Sequence, residues 1–190
     1  MKTLSMNSDA AASKPLRYAP TAVALHWSLA ILLIGMIGMI GVGWTMVSIE
    51  DEPGSGWLFS LHKSVGIVIL ALVAWRAIWR LWHPPAPLPV SVPAWQETAS
   101  KVSHRLLYAA MIAMPLLGLT GSAFSKSGIE FFGLSIPRAI APNHDLAEAF
   151  FTAHSVVAWA LVALIAVHVI AAFKHLIVNR DGVFQRMWFS

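Results

Sequence analysis

The chain has 190 residues, of which 57% are hydrophobic and only 12% are charged, and its formal net charge is +4. A soluble domain typically carries about 25% charged residues, so this composition excludes an ordinary soluble protein and predicts an integral membrane protein. The chain has no cysteine, which excludes disulfides, thiolate zinc sites, iron–sulfur clusters and the covalent attachment of c-type haem.

Four apolar segments are long enough to cross a bilayer, which takes roughly 20 residues, and they predict an all-α bundle of four transmembrane helices. The expected spans, in one membrane domain that follows an N-terminal tail at 1–20, are 21–47, 57–82, 104–124 and 146–177. The second span is the most polar, because Lys63, Arg76 and Arg80 lie within it. These cations are near its two ends, where long side chains can reach the interface.

The charges between the spans set the expected orientation. Lysine and arginine collect before the first span, between the second and third, and after the fourth, whereas the other two loops are mostly acidic. The positive-inside rule therefore predicts that both termini are cytoplasmic. It also explains the basic excess, so no nucleic-acid partner is expected. The tail lacks the apolar stretch of a cleavable signal, and we expect the first span to insert uncleaved.

Two connections have a distinctive composition. The segment 83–89 (HPPAPLP) contains four prolines, which predicts an extended polyproline linker rather than a helix. The connection 126–143 contains two glycines and two prolines, and it predicts an irregular loop that forms a short cap over the bundle.

Four histidines lie at membrane depth, where ionisable side chains are costly and usually functional. His154 and His168 are fourteen residues apart in one charge-free span. At about 1.5 Å and 100° per residue they lie roughly 21 Å apart along the helix and within roughly 40° of one face. His26 is near the cytoplasmic end of the first span and His62 near the external end of the second. Equal depth therefore pairs His26 with His168, and His62 with His154.

Two imidazoles that face each other across a bundle suit the axial ligands of b-type haem. With both axial positions filled, electron transfer is favoured over oxygen activation. We expect two haem b groups, with His26 and His168 on the cytoplasmic-side iron and His62 and His154 on the periplasmic-side iron. Glycines in the first two spans would make room for the macrocycles, namely Gly35, Gly38, Gly41, Gly43 and Gly66.

Two other interpretations of these histidines remain open. They could form hydrogen bonds between helices, with the glycines allowing close packing. They could also line a path for transition metals or protons, although a metal transporter usually adds Asp or Glu at membrane depth and these spans have none there. Both would make the chain a haem-free transporter or scaffold.

Short motifs along the chain, taken in order, resemble the bacterial cytochrome b-561 family. They are 23–27 (VALHW), 61–67 (LHKSVGI), 75–80 (WRAIWR) followed by 83–85 (HPP), 132–137 (FGLSIP), and His154 and His168 followed by 174–175 (KH). The resemblance covers nearly all of the chain after the tail. It implies four helices with two b-type haems, one in each leaflet, each with two histidine ligands. The matching positions are His26, His62, His154 and His168.

The resemblance also implies a bacterial inner-membrane protein that passes electrons to or from quinone. One branch of the family oxidises superoxide at the periplasmic face and reduces ubiquinone. A related branch forms the cytochrome b subunits of hydrogenases and formate dehydrogenases. We therefore expect electron transfer between a periplasmic-side donor and ubiquinone, with superoxide oxidation as one form of it. The alternative is an electron-conducting subunit for a partner dehydrogenase or other redox protein.

Three cations lie close to the expected haems. Arg76 and Arg80 are four residues apart and share a helix face near the cytoplasmic haem. Guanidinium groups bind carboxylates bidentately, so both are candidates for contacts with haem propionates, although positive-inside topology explains them equally well. Lys63, beside His62, is a candidate contact for a propionate or another anion. A positive external surface could steer superoxide, but the acidic stretch 50–52 (EDE) argues against this.

Two further histidines are candidates for proton transfer. His104 and His175 lie at the expected cytoplasmic ends of the third and fourth spans. Quinone reduction consumes protons, and histidine titrates near neutral pH. We therefore expect one or both to line a quinone pocket and to relay protons there. An interfacial histidine that faces lipid headgroups is an equal alternative for His104.

Overall fold

The computed structural model describes residues 17–48 and 56–189, of which 39–48 are described by their backbone only. The acidic stretch 50–52 and most of the N-terminal tail lie outside the described residues. Four long helices dominate the described part: α1 (Pro20–Ser48), α2 (Gly56–Trp82), α3 (Ala94–Phe124) and α4 (His144–Lys174). All four are long and apolar enough to cross a membrane. The expected all-α, four-span architecture is therefore confirmed.

Local sequence explains several helix ends. Pro20 begins α1, at the first helical position that proline favours. The polyproline segment follows directly after Trp82, where α2 ends. The Asn143 side chain accepts a hydrogen bond from the Leu146 N–H at 3.1 Å and so caps α4. The third helix begins at Ala94 and not near His104, so His104 lies well inside α3 instead of at its end.

The helices pack unevenly. Helix α2 packs between α1 and α3, and α3 packs most closely against α4. In the part of the chain that the structure describes, α4 has no comparably close backbone packing against α1 or α2. The buried core is small and is contributed by all four helices: Leu29, Leu33, Met36, Ile69, Val73, Leu107, Met111, Met114 and Leu161. Side chains on the outer faces remain apolar and exposed, as a lipid environment requires.

Short elements close the two ends of the bundle. The connection between α3 and α4 contains a hairpin of β1 (Glu130–Phe131) and β2 (Leu134–Ser135), so it is more ordered than the irregular loop expected from its composition. The Phe132 N–H donates to Ser64 Oγ at 2.7 Å, which fixes the hairpin on α2. At the other end, α4 continues into a π-helical turn (His175–Asn179), and a 3-10 turn (Phe184–Met187) follows.

The C-terminal segment docks beside the start of α1. Trp27 Nε1 donates to the Met187 carbonyl oxygen at 2.7 Å, and Arg186 donates to the Ala86 carbonyl oxygen at 2.6 Å. The Arg186 guanidinium also lies over the Tyr18 ring, 5.3 Å from its centroid. These contacts hold Trp27, the residue next to His26, in place. They also bring the polyproline segment and the C-terminal segment close to the start of α1.

Candidate functional site: two histidine pairs

His62 of α2 and His154 of α4 face each other near one end of the bundle. Their ring centroids are 5.9 Å apart and their planes are inclined by 68°. His154 Nδ1 lies 2.8 Å from the Met114 carbonyl oxygen of α3. A carbonyl can only accept, so Nδ1 carries the proton and Nε2 is left with a free lone pair. This is the tautomer in which histidine binds a metal through Nε2 while the other ring nitrogen is held by a backbone acceptor.

Two glycines of α3 allow α4 to approach closely enough for this arrangement. A Cβ atom built on Gly118 would lie 2.9 Å from His154 Nδ1, and one on Gly121 would lie 2.7 Å from the Phe151 ring. Both distances are shorter than van der Waals contact. A larger residue at either position would push α4 away from α3 and rotate the His154 ring.

His26 of α1 and His168 of α4 form the second pair. Their centroids are 6.2 Å apart and their planes are inclined by 65°. His104 also approaches His168, with 5.3 Å between centroids, and its Nδ1 lies 2.7 Å from the Ser100 carbonyl oxygen. Three imidazoles from three helices therefore meet at this level of the bundle.

The centroid distances can be compared with the requirements of one metal ion. Two histidines that bind an ion from opposite sides, each at about 2.0–2.1 Å with about 1.1 Å from nitrogen to ring centre, have centroids roughly 6.3 Å apart. The separations of 5.9 Å for His62–His154 and 6.2 Å for His26–His168 are close to this value. The His104–His168 distance of 5.3 Å is about 1 Å too short. The geometry therefore favours His26 over His104 as the partner of His168.

A flat cofactor between the paired rings also needs space. A Cβ atom added to Gly66, which is half-buried, would have no other atom within 4 Å, and the same holds at Gly35 and Gly38, which are exposed on α1. The histidines face each other where α4, in the described part of the chain, lacks close backbone packing against the first two helices. Among the described residues, no group of three or more His, Cys, Asp or Glu side chains is arranged to hold a metal ion alone. Each pair would therefore need a cofactor that supplies the remaining ligands.

Arg76 is buried beside the second pair, with only 8% of its surface exposed. One terminal nitrogen donates to Tyr108 Oη at 2.7 Å, the other lies 3.4 Å from His26 Nδ1, and Nε has no partner. A guanidinium can only donate hydrogen bonds, so the contact between Arg76 and His26 requires that Nδ1 of His26 carries no proton. Metal binding through Nε2 leaves the proton on Nδ1, and Arg76 then requires another acceptor. A carboxylate at this position would satisfy it.

A cavity of about 300 Å³ opens next to this group and is lined by Arg80, Lys101, His104, Arg105 and Tyr108. Three of its five lining residues are basic and none is acidic, and one of the three, Lys101, pairs with Glu97 at 2.6 Å. The Arg80 guanidinium lies 6.0 Å from the centroid of the Tyr108 ring, on the same ring that Arg76 approaches at 5.4 Å. The cavity is suited to a ligand that carries or develops negative charge.

His175 is not brought into contact with His104. Its Nδ1 lies 2.6 Å from Asp181 Oδ2, and both side chains are largely buried. Lys63, at the other end of the bundle, donates to Ser127 Oγ and to the Gly128 carbonyl oxygen, both at 3.0 Å. Its ammonium group therefore anchors the connection between α3 and α4.

Residues 17–190 match the family model described as prokaryotic cytochrome b561. The chain belongs to the prokaryotic cytochrome b561 family. It is 31% identical over 178 residues to "Cytochrome b561 homolog 2" of Escherichia coli strain K12, covering 91% of this chain and 92% of that protein. It is 28% identical over 174 residues to "Probable superoxide oxidase CybB" of Yersinia pestis, covering 90% and 95%.

Membership of the cytochrome b561 family settles the class of protein. The chain is a multi-pass protein of the bacterial inner membrane, a haem b-binding cytochrome that functions in electron transport. The resemblance inferred from the short motifs is thereby confirmed. The match extends over all four helices, so both histidine pairs lie within the part shared with the family.

Sequence reasoning missed four contributors to this site: Gly118, the Met114 carbonyl, Tyr108 and Asp181. Gly118 and Met114 could not be found, because only the packing of α3 on α4 gives them a role. Tyr108 carried a weak signal, since a tyrosine in an apolar helix needs a hydrogen-bond partner. Asp181 is the acidic residue nearest to the end of the fourth span, and its spacing from His175 could have suggested a turn.

Proposed function

We propose that this cytochrome binds two haem b groups and carries electrons across the inner membrane between an external donor and quinone. His62 and His154 would hold one iron, and His26 and His168 the other. The observation that carries the proposal is the pair of centroid separations, 5.9 Å and 6.2 Å, at two levels of one helix. Haem b with two histidine ligands supplies a one-electron carrier without an open site for oxygen.

We assign the buried guanidinium of Arg76 to a haem propionate. Arg76 lacks a partner at Nε and would lose its acceptor on His26 when that ring binds iron. A carboxylate can accept two parallel hydrogen bonds from a guanidinium. Arg80, one turn further along α2, shares the Tyr108 ring with it and would support the same group.

We propose that both termini are cytoplasmic, as the positive-inside rule predicts. The level of His26 and His168 then lies toward the cytoplasm, and the level of His62 and His154 toward the periplasm. The basic cavity beside His104 opens on the cytoplasmic side. The cations around it are then part of the basic surface that the rule expects there.

The cavity of about 300 Å³ is our candidate for the quinone head group, at the lower end of the size range of ligand pockets. Tyr108 offers a hydrogen-bond donor to a carbonyl oxygen of the quinone, whereas the Nδ1 proton of His104 is already engaged by the Ser100 carbonyl oxygen. Arg80, Lys101 and Arg105 would stabilise the negative charge that a quinone gains on reduction. His104 adjoins His168, with 5.3 Å between ring centroids, so electrons and protons can reach the same place.

Superoxide is the donor that we favour, because a relative over nearly the whole chain is named as a probable superoxide oxidase. Two superoxide ions would each lose one electron and leave as O₂, and one ubiquinone would take up both electrons and two protons to become ubiquinol. Lys63, beside His62, contributes positive charge on the external side, where it would attract an anion.

Rapid mixing of the purified, oxidised protein with superoxide tests this function. We expect fast haem reduction without any partner protein, and reoxidation when a short-chain ubiquinone is added. A folded but colourless protein would contradict haem binding. A haem-loaded protein that superoxide leaves oxidised would instead favour an electron-conducting subunit that is reduced by a partner dehydrogenase or another redox protein.

Gly118→Ala is expected to damage the external-side haem site selectively. The added methyl group would lie 2.9 Å from His154 Nδ1, and overpacking of this kind typically costs about 1–3 kcal/mol. We expect occupancy of the external-side haem to fall severalfold, as measured by reduced-minus-oxidised spectra and haem content. The other haem should be retained.

Gly56→Ala is the matched control for this substitution, because a Cβ atom at Gly56 has nothing within 4 Å. It should leave both haem signals unchanged. Wild-type spectra and haem content in Gly118→Ala would show that the approach of α3 to α4 does not position His154.

A further inference from the structure

We propose that the segment 184–189, which we call the C-terminal clasp, joins the end of α4 to the start of α1 and sets the orientation of the His26 ring, with Trp27 as the positioning residue. The inference rests on the proposed function and extends it to a part of the chain outside the two histidine pairs. It starts from a difference in packing. His26 and His168 lie on α1 and α4, and in the described part of the chain the backbones of these two helices do not pack closely against each other.

A chain of aromatic rings connects α4 to α1 through the C-terminal clasp. Phe173 of α4 lies 6.2 Å from Phe184, measured between ring centroids, and Phe184 lies 5.4 Å from Trp188. Trp188 in turn meets Trp27 of α1 edge-on at 5.3 Å. These separations fall within the range of about 4.5–7 Å in which ring pairs attract each other. The clasp therefore joins two helices whose backbones pack little against each other.

Trp27 passes this contact on to the proposed haem ligand. Its ring meets the His26 ring edge-on, with 5.5 Å between centroids and planes inclined by 79°. His26 faces His168 at 6.2 Å, and His168 and Phe173 lie on the same helix. The rings therefore form a closed loop that leaves α4 at Phe173 and returns to it at His168. A displacement of the clasp moves Trp27, and the His26 ring must then turn or shift.

A hydrogen bond fixes the rotation of the Trp27 ring. Its Nε1 atom donates to the Met187 carbonyl oxygen at 2.7 Å. An indole has one donor and no acceptor, and a tryptophan among apolar neighbours usually finds a partner for it. The acceptor here is a backbone atom of the C-terminal clasp, so the ring is held in this orientation only while the clasp is docked. Contacts around a metal ligand commonly set its orientation in this way.

Arg186 anchors the C-terminal clasp. Only 3% of its surface is exposed. Its guanidinium donates to the Ala86 carbonyl oxygen at 2.6 Å, and its own carbonyl oxygen accepts from the Tyr18 N–H at 3.2 Å. An extended polyproline segment has no internal hydrogen bonds, so its carbonyl oxygens are available to accept. One residue thus ties the clasp to the chain just before α1 and to the segment that follows α2.

The external-side pair is held by different contacts. There the Met114 carbonyl oxygen fixes the His154 ring, and Gly118 lets α3 approach α4. Neither contact involves the C-terminal clasp, which lies near the opposite end of α4. Loosening the clasp should therefore alter one haem site and leave the other unchanged.

Trp27→Phe and Trp188→Leu test the inference in the purified holoprotein. Trp27→Phe keeps a ring beside His26 but removes the donor to Met187, and Trp188→Leu interrupts the chain of rings. We expect both variants to release the cytoplasmic-side haem to a haem-binding acceptor protein about fivefold faster, the ratio that the loss of one ordinary hydrogen bond produces. The external-side haem should be released at its wild-type rate.

Electron paramagnetic resonance reports on the orientation itself, because the low-field signal of an oxidised haem with two histidine ligands depends on the angle between the imidazole planes. The planes are inclined by 65° in one pair and 68° in the other, so the signals of the two haems would overlap. Each substitution is therefore combined with His62→Ala, which should leave only the cytoplasmic-side haem, and we expect its signal to shift. In combination with His26→Ala, which should leave only the external-side haem, the signal should stay in place.

Trp82→Leu is the matched control, because this tryptophan is 75% exposed and lies at the end of α2, at the same end of the bundle. It should change neither the release rate nor the signal. Wild-type release and an unshifted signal in Trp27→Phe and Trp188→Leu would overturn the inference, and so would equal changes at both haem sites. A wild-type protein that holds fewer than two haems would instead overturn the proposed function, and the inference with it.

Discussion

Replacing His154 with alanine is expected to remove one haem signal and leave the other, so that the haem-to-protein ratio falls from two to one. The Met114 carbonyl holds the His154 ring by its Nδ1 atom, and among the described residues no third histidine ring stacks on this pair. His62→Ala should give the same spectrum as His154→Ala. The measurement is the haem content of the purified protein together with a reductive titration.

Substitutions in the second pair should also remove one haem signal, but the other of the two. His26→Ala and His168→Ala are both expected to remove the haem that the first two variants retain. His144→Ala is the control, since this side chain is 83% exposed at the start of α4. Loss of the same haem in His26→Ala and His62→Ala would refute the pairing. Loss of the second haem in His104→Ala, with retention in His26→Ala, would identify His104 as the partner of His168.

Arg76→Ala is expected to lower the reduction potential of the cytoplasmic-side haem without changing that of the other. A nearby cation destabilises the oxidised haem, which carries one more positive charge than the reduced haem. At an effective dielectric constant of about 20, a charge roughly 8 Å away contributes on the order of 2 kcal/mol. Because about 59 mV corresponds to a tenfold change for one electron, we expect a shift of several tens of millivolts in a redox titration.

Two further substitutions separate the effect of Arg76 from a general change of surface charge. Arg105→Ala removes an exposed cation from the same cavity, and its effect on the potential should be small because water and ions screen it. Arg76→Lys keeps the charge but loses the planar fork, so it should recover most of the potential and bind haem less tightly. An unchanged potential in Arg76→Ala would rule out a role for this residue beside the haem.

The uneven packing of the bundle has a consequence for stability. Helix α4 is held mainly by α3, and its histidines face rings on α1 and α2, against which its backbone packs less closely. The buried core is small for a bundle of this length. Bound haem would therefore connect helices that pack little against each other, and a ligand that binds only the folded state stabilises it. The loss of one haem in the histidine variants should also lower thermal stability.

Much of this architecture follows from the sequence. The charge-free stretches of about 20 residues or more leave helices as the only structure that satisfies the backbone in lipid. The interval between His154 and His168 places both rings on one face of one helix, because the α-helix has a fixed period and rise. Equal depth in the membrane then pairs each of them with the histidine whose ring centroid lies about 6 Å from its own in the structure.

Other features required the tertiary structure. Helix α3 begins ten residues before the expected span 104–124, because the polar start of a helix that extends beyond the hydrocarbon core carries no hydropathy signal. Hydropathy also gave no reason to link Arg76 with Tyr108 or His175 with Asp181. These pairs depend on the rotation of one helix against another and on a left-handed residue in a turn.

The sequence by itself determined the class of this protein: four membrane helices, four imidazoles at two depths and a basic end. Local periodicity and the cost of burying polar groups are properties of each segment, so they can be read one segment at a time. The tertiary structure alone decided which glycines let α4 approach α3, which ring nitrogen faces a carbonyl and which cation is left without an acceptor. Those properties are set by distances of a few tenths of an ångström between separate helices, and packing fixes such distances only when all four helices are in place.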